Sequence, residues 1–264
     1  MELKGKVIVV TGGGAGIGQA TVLELLARGA AVVAVDLSEP GLEDTRAKAG
    51  ASARLSIHPL NIADREAVLA LPEAVVAEHG AVDGLINVAG IIQPFVHVAD
   101  LAFDVIERVM DVNFWGTVNT NKAFLPHLLA RPESSLVNVS SMGAILPVPG
   151  QTAYGASKAA VRLFTEGLYA ELQGTSVTVT EVFPGAIGTD IMKNSGVERA
   201  NPGKDVSAPK MTTPQEAARQ IADAVEKKRF RLHIGGDAKL FDTLSRMIPE
   251  RAIGLIAKKM KDIG

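Results

Sequence analysis

Residues 6–36 read "KVIVVTGGGAGIGQATVLELLARGAAVVAVD". An apolar run, Lys6 to Val10, passes straight into a turn of glycines. A segment with helical spacing follows and stops at Gly29, where a left-handed cap needs no Cβ. A second apolar run then closes on Asp36. Strand, glycine turn, helix and strand within about 30 residues make one βαβ unit, whose two strands lie parallel.

The same alternation continues outward. Apolar runs at 55–60, 82–90, 134–141, 176–185 and 230–236 are separated by longer amphipathic stretches. This predicts an α/β protein with a parallel sheet of about seven strands and helices on both faces. Aromatic residues are only 4% of the chain, so the core must come from Val, Ile, Leu and Ala, as buried parallel strands require. The 264 residues suit one domain, 1–264. Residues 191–211 hold two prolines, two glycines and little periodicity, the mark of a functional or disordered loop. In "TTPQEA" Thr213 caps a helix, Pro214 takes its first position and Glu216 reaches back. Gly174 ends a helix as Gly29 does, and Pro72 predicts a kink or break inside the third helical stretch.

Composition excludes several classes. The net charge is -2 with no block of Lys or Arg, so no nucleic-acid surface is expected. The chain has no cysteine, which removes disulfides and thiolate-bound zinc, and its five histidines lack ligand spacing, so no metal site is expected. No apolar run approaches the roughly 20 residues of a membrane span. The first residues, "MELKGKVIVV", lack the features of a signal peptide, and a cytoplasmic location is expected.

The glycine turn has the spacing Gly12-x-x-x-Gly16-x-Gly18 and departs from G-x-G-x-x-G. Glycines there let the backbone approach a phosphate, which the free N–H groups of the next helix attract. Asp36 at the end of the second strand can accept hydrogen bonds from ribose hydroxyls and would repel a 2′-phosphate. No Arg or Lys follows it to welcome that phosphate. Further on, "TAYGASKAA" (152–160) sets Tyr154 four residues before Lys158. That spacing puts both on one helix face, and a cation beside a phenol lowers its pKa from about 10. Ser141 ends a buried strand thirteen residues upstream, at the edge where ligands bind in open α/β sheets.

With these residues assembled, the chain resembles the short-chain dehydrogenase/reductase family. The matching motifs are "TGGGAGIG" (11–18), "NVAG" (87–90), Asn113 in "MDVNFWGT", Ser141, "YGASK" (154–158) and "PGAIGT" (184–189). They fall in the family's order and spacing, over about residues 4–236. The resemblance implies a Rossmann-like doubly wound domain that binds NAD. It implies Tyr154 as general acid/base, Lys158 lowering its pKa and binding the nicotinamide ribose, and Ser141 bonding the substrate oxygen. Asn113 would hold a water linking Lys158 to solvent. The cofactor would meet Gly12, Gly14, Gly16, Ile17, Gly18, Asp36, Leu37, Asn61, Ile62, Asn87, Ala89, Gly90, Tyr154, Lys158, Pro184, Gly185, Ile187 and Thr189. Two departures stand out in the motifs: Val88 replaces a second Asn, and Asn61 replaces an Asp at the adenine edge, although Asn still donates and accepts.

The expected pocket offers Ile91, Ile92, Met142, Ala144, Ile145, Leu146, Val148 and Ala186, with no cation among them. An uncharged, hydrophobic alcohol or ketone is therefore the expected substrate, with Gln93 and Gln151 as candidate orienting groups. Residues 191–211 would be the substrate loop. Residues 237–264 extend beyond many family members as a helical tail, where Ile253, Ile256, Met260 and Ile263 recur between Lys258, Lys259 and Lys261. Packing on its own domain or on a neighbouring subunit ranks first for this tail, ahead of a lid and of a membrane surface. A homodimer or homotetramer is expected through the helices carrying Asn113 and Tyr154, with Val161, Phe164 and Leu168 facing outward. Two other readings remain: an NADPH-dependent 3-ketoacyl-carrier reductase, and an NAD-binding protein without catalysis.

Overall fold

The computed structural model describes residues 1–197 and 211–260. In chain order it runs β1 (Val7–Thr11), α1 (Gly16–Ala27), β2 (Ala31–Asp36), α2 (Glu39–Lys48), β3 (Leu55–Pro59), α3 (Arg65–His79) and β4 (Gly84–Asn87). Helix α4 (Phe103–Met110) passes through a π turn (Asp111–Trp115) into α5 (Gly116–Leu129). Next come β5 (Ser134–Val139), a 3-10 turn (Met142–Ala144), α6 (Thr152–Glu171), β6 (Val177–Pro184) and the short α7 (Ile191–Asn194). Helix α8 (Pro214–Glu226), β7 (Arg231–Ile234), α9 (Gly236–Met247) and α10 (Pro249–Met260) complete it.

The strands form one sheet in the order β3-β2-β1-β4-β5-β6-β7, and every pairing is parallel. Alternate residues of each strand enter opposite layers. Ile8 and Val10 of β1 pack with Val22 and Leu25 of α1 and Ile221 and Val225 of α8. Val7 and Val9 pack with Val68 of α3, Phe124 of α5 and Leu168 of α6. Burying each such side chain contributes roughly 1.5–3 kcal/mol. The chain leaves β1 toward β2 on one side and β4 on the other. That reversal opens a crevice at the carboxyl ends of β1 and β4.

Gly29 and Gly174 take left-handed conformations, with φ of 88° and 79°. The Thr213 hydroxyl accepts from the Glu216 N–H at 3.1 Å, but the Glu216 carboxylate turns to Arg219 and Gln220 instead of reaching back. The expected break at Pro72 does not occur. Helix α3 runs through it, with Asp64 capping one end, Gly80 closing the other and Pro72 itself buried in the layer.

One expectation for the helices needs correction. Val161 and Leu168 of α6 are buried inside their own chain, and Phe164 packs against the same layer. Helical spacing shows that they share a face, and that face lies on the sheet. The outward apolar residues of α6 are Leu163 and Tyr169. In the tail, Ala252 and Ile256 of α10 pack with Phe241 and Leu244 of α9 onto Leu146, so α10 covers the segment after Ser141. Ile253 faces outward. Lys261 and Ile263, like residues 198–210 of the expected substrate loop, lie outside the described residues.

Candidate active site

The glycine turn forms the floor of a cleft of about 800 Å³. Gly12 has φ of +73°, and a Cβ there would sit 2.8 Å from the Ala89 nitrogen. A Cβ on Gly18 would run into the Gly12 carbonyl oxygen. These two glycines therefore let α1 start directly against β1 and β4. No side chain caps α1, so its first N–H groups are open to an anion.

Asp36 stands at the far end of the turn. Its two oxygens accept from the Gly14 and Ser38 N–H groups, each at 2.9 Å. The backbone thus fixes the carboxylate at the lip of the cleft. Among the described residues the only basic one lining the cleft is Arg108, which shares α4 with Asp104 and Glu107. Gly12, Gly14, Gly16, Ile17, Gly18, Asp36, Leu37, Asn61, Ile62, Ala89, Gly90 and Thr189 all line it. The Asn61 side chain is folded back onto the Ala63 N–H at 3.0 Å.

Asn87, Tyr154, Lys158, Pro184, Gly185 and Ile187 are not among the residues that line the cleft. The buried Asn87 donates to Asn138 at 2.9 Å and accepts from Thr120 at 2.9 Å, so it joins the sheet to α5. It lies in β4 behind Ala89 and Gly90, which line the cleft. Pro184 and Gly185 end β6 beside Ile234. Ile187 bridges to Thr212 and packs on the core.

The catalytic candidates gather beyond Gly90. A Cβ on Gly90 would meet Lys158 Nζ at 3.0 Å and Asn113 Oδ1 at 3.2 Å. Asn113 is fully buried in the π turn, where its amide accepts from the Ile91 N–H and donates to the Ile91 carbonyl and the Ser157 hydroxyl. Lys158 donates to the Val139 carbonyl at the end of β5. Ser141 caps the 3-10 turn by accepting from Gly143 N–H, and it hydrogen-bonds Tyr154.

Burial pushes the Tyr154 phenol above its ordinary value, while the bond with Ser141 pulls it down. Burial pushes Lys158 down to about 8. The same burial thus acts on both groups, which stand one helical turn apart on α6. Gln93 also differs from expectation. It is fully buried, and its amide bonds Gly150 and the Tyr154 backbone rather than facing an open pocket. Leu146 is likewise removed from the pocket by α10.

The arrangement fits a nicotinamide dinucleotide: a glycine floor, open helix amides, a carboxylate at one end and a Lys–Tyr–Ser group at the other. Ser38, Gly41, Ala63, Asp104 and Glu107 line the cleft as well, and no quoted motif marked them; Asp111, two residues before Asn113 in its motif, lines it too. Among the described residues no group of three His, Asp or Glu is placed to hold a metal. None of their helices is long and apolar enough to cross a membrane.

Comparison with known proteins gives the same outline. The short chain dehydrogenase family model matches residues 6–200. A Mycobacterium tuberculosis protein named as an oxidoreductase, SadH, is 39% identical, covering 97% of this chain and 95% of its own. A short-chain dehydrogenase/reductase from Burkholderia phymatum, solved with NAD, superimposes with a TM-score of 0.86 at 25% identity, covering 95% of this chain and 96% of its own. A Burkholderia cenocepacia short chain dehydrogenase solved with NADP gives 0.82 at 26% identity, over 97% and 99%.

Proposed function

The chain belongs to the short chain dehydrogenase family, and from that premise we propose that it is an NAD-dependent oxidoreductase interconverting an uncharged, apolar secondary alcohol and its ketone. One observation carries the reading: the half-buried Ser141 and Tyr154 hydrogen-bond each other beyond the end of β5, with the buried Lys158 one helical turn on, beside the cleft residue Gly90.

The nicotinamide, when bound, would supply the hydride acceptor or donor, and its positive form would add to the charge of Lys158 near the Tyr154 phenol. In the oxidative direction Tyr154 takes the hydroxyl proton, and in the reductive direction it returns one to the carbonyl oxygen. Ser141 offers its hydroxyl to the charge growing on that oxygen. Lys158 stabilises the phenolate and binds the ribose, and Asn113 holds the wall of the site by gripping Ile91. A water held beside Asn113 would return protons to solvent. Asp36 supports NAD over NADP, because a fixed carboxylate accepts ribose hydroxyls and repels a phosphate. Ile91, Ile92, Met142, Ile145 and Ala186, all without charge, support the apolar substrate class.

The test is NAD⁺ reduction against steroidal, terpenoid, aliphatic and polyol secondary alcohols, with NADP⁺ in parallel. An apolar alcohol is expected to turn over with NAD⁺. Tyr154→Phe should lower kcat by about a thousandfold, the scale of a lost general base, while still binding NAD⁺. Full activity in that variant would refute the assignment of Tyr154.

A further inference from the structure

We infer that Gln93 is a positioning residue: from the loop after β4 it supplies the cap that helix α6 lacks, and so fixes Tyr154 against the cleft. The inference rests on Tyr154 being the acid/base group.

The first amides of a helix have no acceptor within it, and a Ser, Thr, Asp or Asn at the N-cap usually provides one. Helix α6 begins after Gln151, whose side chain makes no capping bond. That side chain turns away and donates to the Gln93 carbonyl at 2.7 Å. Tyr154 is the third residue of the helix, a position whose N–H a capping side chain commonly takes. Its N–H donates instead to Gln93 Oε1 at 3.0 Å, from a residue 61 positions away. The other end of the same amide donates to the Gly150 carbonyl at 2.9 Å. Gly150 has φ of +78° and forms the turn that leads into α6. One buried amide thus ties the turn before the helix to the helix's first turn. Only an amide serves both ends, since one must accept and the other donate.

Gln93 is not free to drift. Ile91 is held at both backbone groups by the Asn113 amide, and the Ile92 N–H donates to Ser195 Oγ at 3.0 Å. Gly90, which lines the cleft, precedes these residues directly. Three consecutive residues therefore connect the cofactor floor to the backbone of Tyr154, each pinned to a different element. Gln93 spends its hydrogen bonds inward, so it acts through Tyr154 and not on substrate.

The chain has two tyrosines, Tyr154 and Tyr169, so in a Tyr169→Phe background tyrosinate absorbance reports Tyr154 alone. The experiment is a titration of that absorbance with and without NAD⁺. In the parent, NAD⁺ is expected to lower the Tyr154 midpoint by about one unit or more, as a charge close to a phenol does. Gln93→Met keeps the side chain's bulk and loses both bonds. It is expected to lose more than half of that response. Gln93→Glu restores the acceptor for the Tyr154 N–H and should recover most of it. An unchanged response in Gln93→Met overturns the inference and leaves Tyr154's role intact. No response in the parent refutes the reading of Tyr154 itself and takes the inference with it. If Gln93→Met does not fold, amide exchange in the unaltered protein decides. The Tyr154 N–H should exchange as slowly as those of the next helical turn, and exchange at the rate of an open amide would overturn the cap.

Discussion

Asp36 shows how much one side chain can carry. Its oxygens are already bonded by Gly14 and Ser38, so its charge is held at the lip of the cleft whether or not a ribose arrives. Asp36→Ala removes that charge and should cut the NAD⁺ over NADP⁺ preference about tenfold or more, read as the ratio of kcat/KM values. The residues that were legible in the sequence are those whose meaning is local. The glycine spacing, Asp36 at a strand end, and Ser141, Tyr154 and Lys158 in their motifs needed only near neighbours and helical or strand period. Gln93 was not legible, because the groups it serves lie 57 and 61 residues away. The partners of Asn87 were hidden for a related reason. Its motif fixes its place along β4, but which way it faces depends on Asn138 and Thr120, brought in by other elements.

At the scale of elements, a buried parallel sheet leaves little choice of residue, so the alternating runs placed the strand ends within two residues, except that β4 stops three residues before its run does. Helix faces were harder. Val161 and Leu168 share one side of α6, but periodicity does not say whether the sheet or the solvent covers it. Helix α10 is held by few residues, chiefly Ala252 and Ile256 against Leu146. Leu146 lies five positions beyond Ser141, so this small cluster bears on the segment that presents the hydroxyl. Ile256→Ala should remove about 2 kcal/mol of packing there. The expected outcome is a several-fold higher KM for the alcohol with unchanged NAD⁺ affinity. Steady-state kinetics beside NAD⁺ titration checks it, and equal weakening of both would place α10 in general stability instead.

For the whole molecule, two buried charges set opposite slopes of stability with pH. Lys158 is held at about 8 against 10.5 in the unfolded chain. Between those values the unfolded chain keeps a proton that the folded one has lost, so stability rises with pH, by up to roughly 3 kcal/mol. Glu181 is buried beside Arg231 and raised from 4.5 to about 7, so over that range the folded chain holds the extra proton and stability falls. Denaturation across pH should show a shallow minimum near neutrality from these two groups, with Lys158→Met removing the alkaline rise and Glu181→Gln the acid-side fall. The outward side chains Leu163, Tyr169, Trp115 and Leu129 on and around α5 and α6 supply apolar surface for the expected homo-oligomer. Leu163→Arg should lower the mass seen by light scattering, and no change would move the interface elsewhere. The strand order also has a consequence for how the chain is made. β1, "VIVVT", is buried along its whole length and lies between β2 and β4, but Ile8 pairs with Gly84, which is synthesised 76 residues later. At about 5–20 residues per second, a growing chain leaves one flank of its greasiest strand unpaired for several seconds. Yield in a host should therefore depend on whether something shields that flank during translation, and slower synthesis at lower temperature, or extra holdase, should raise the fraction that reaches the native state.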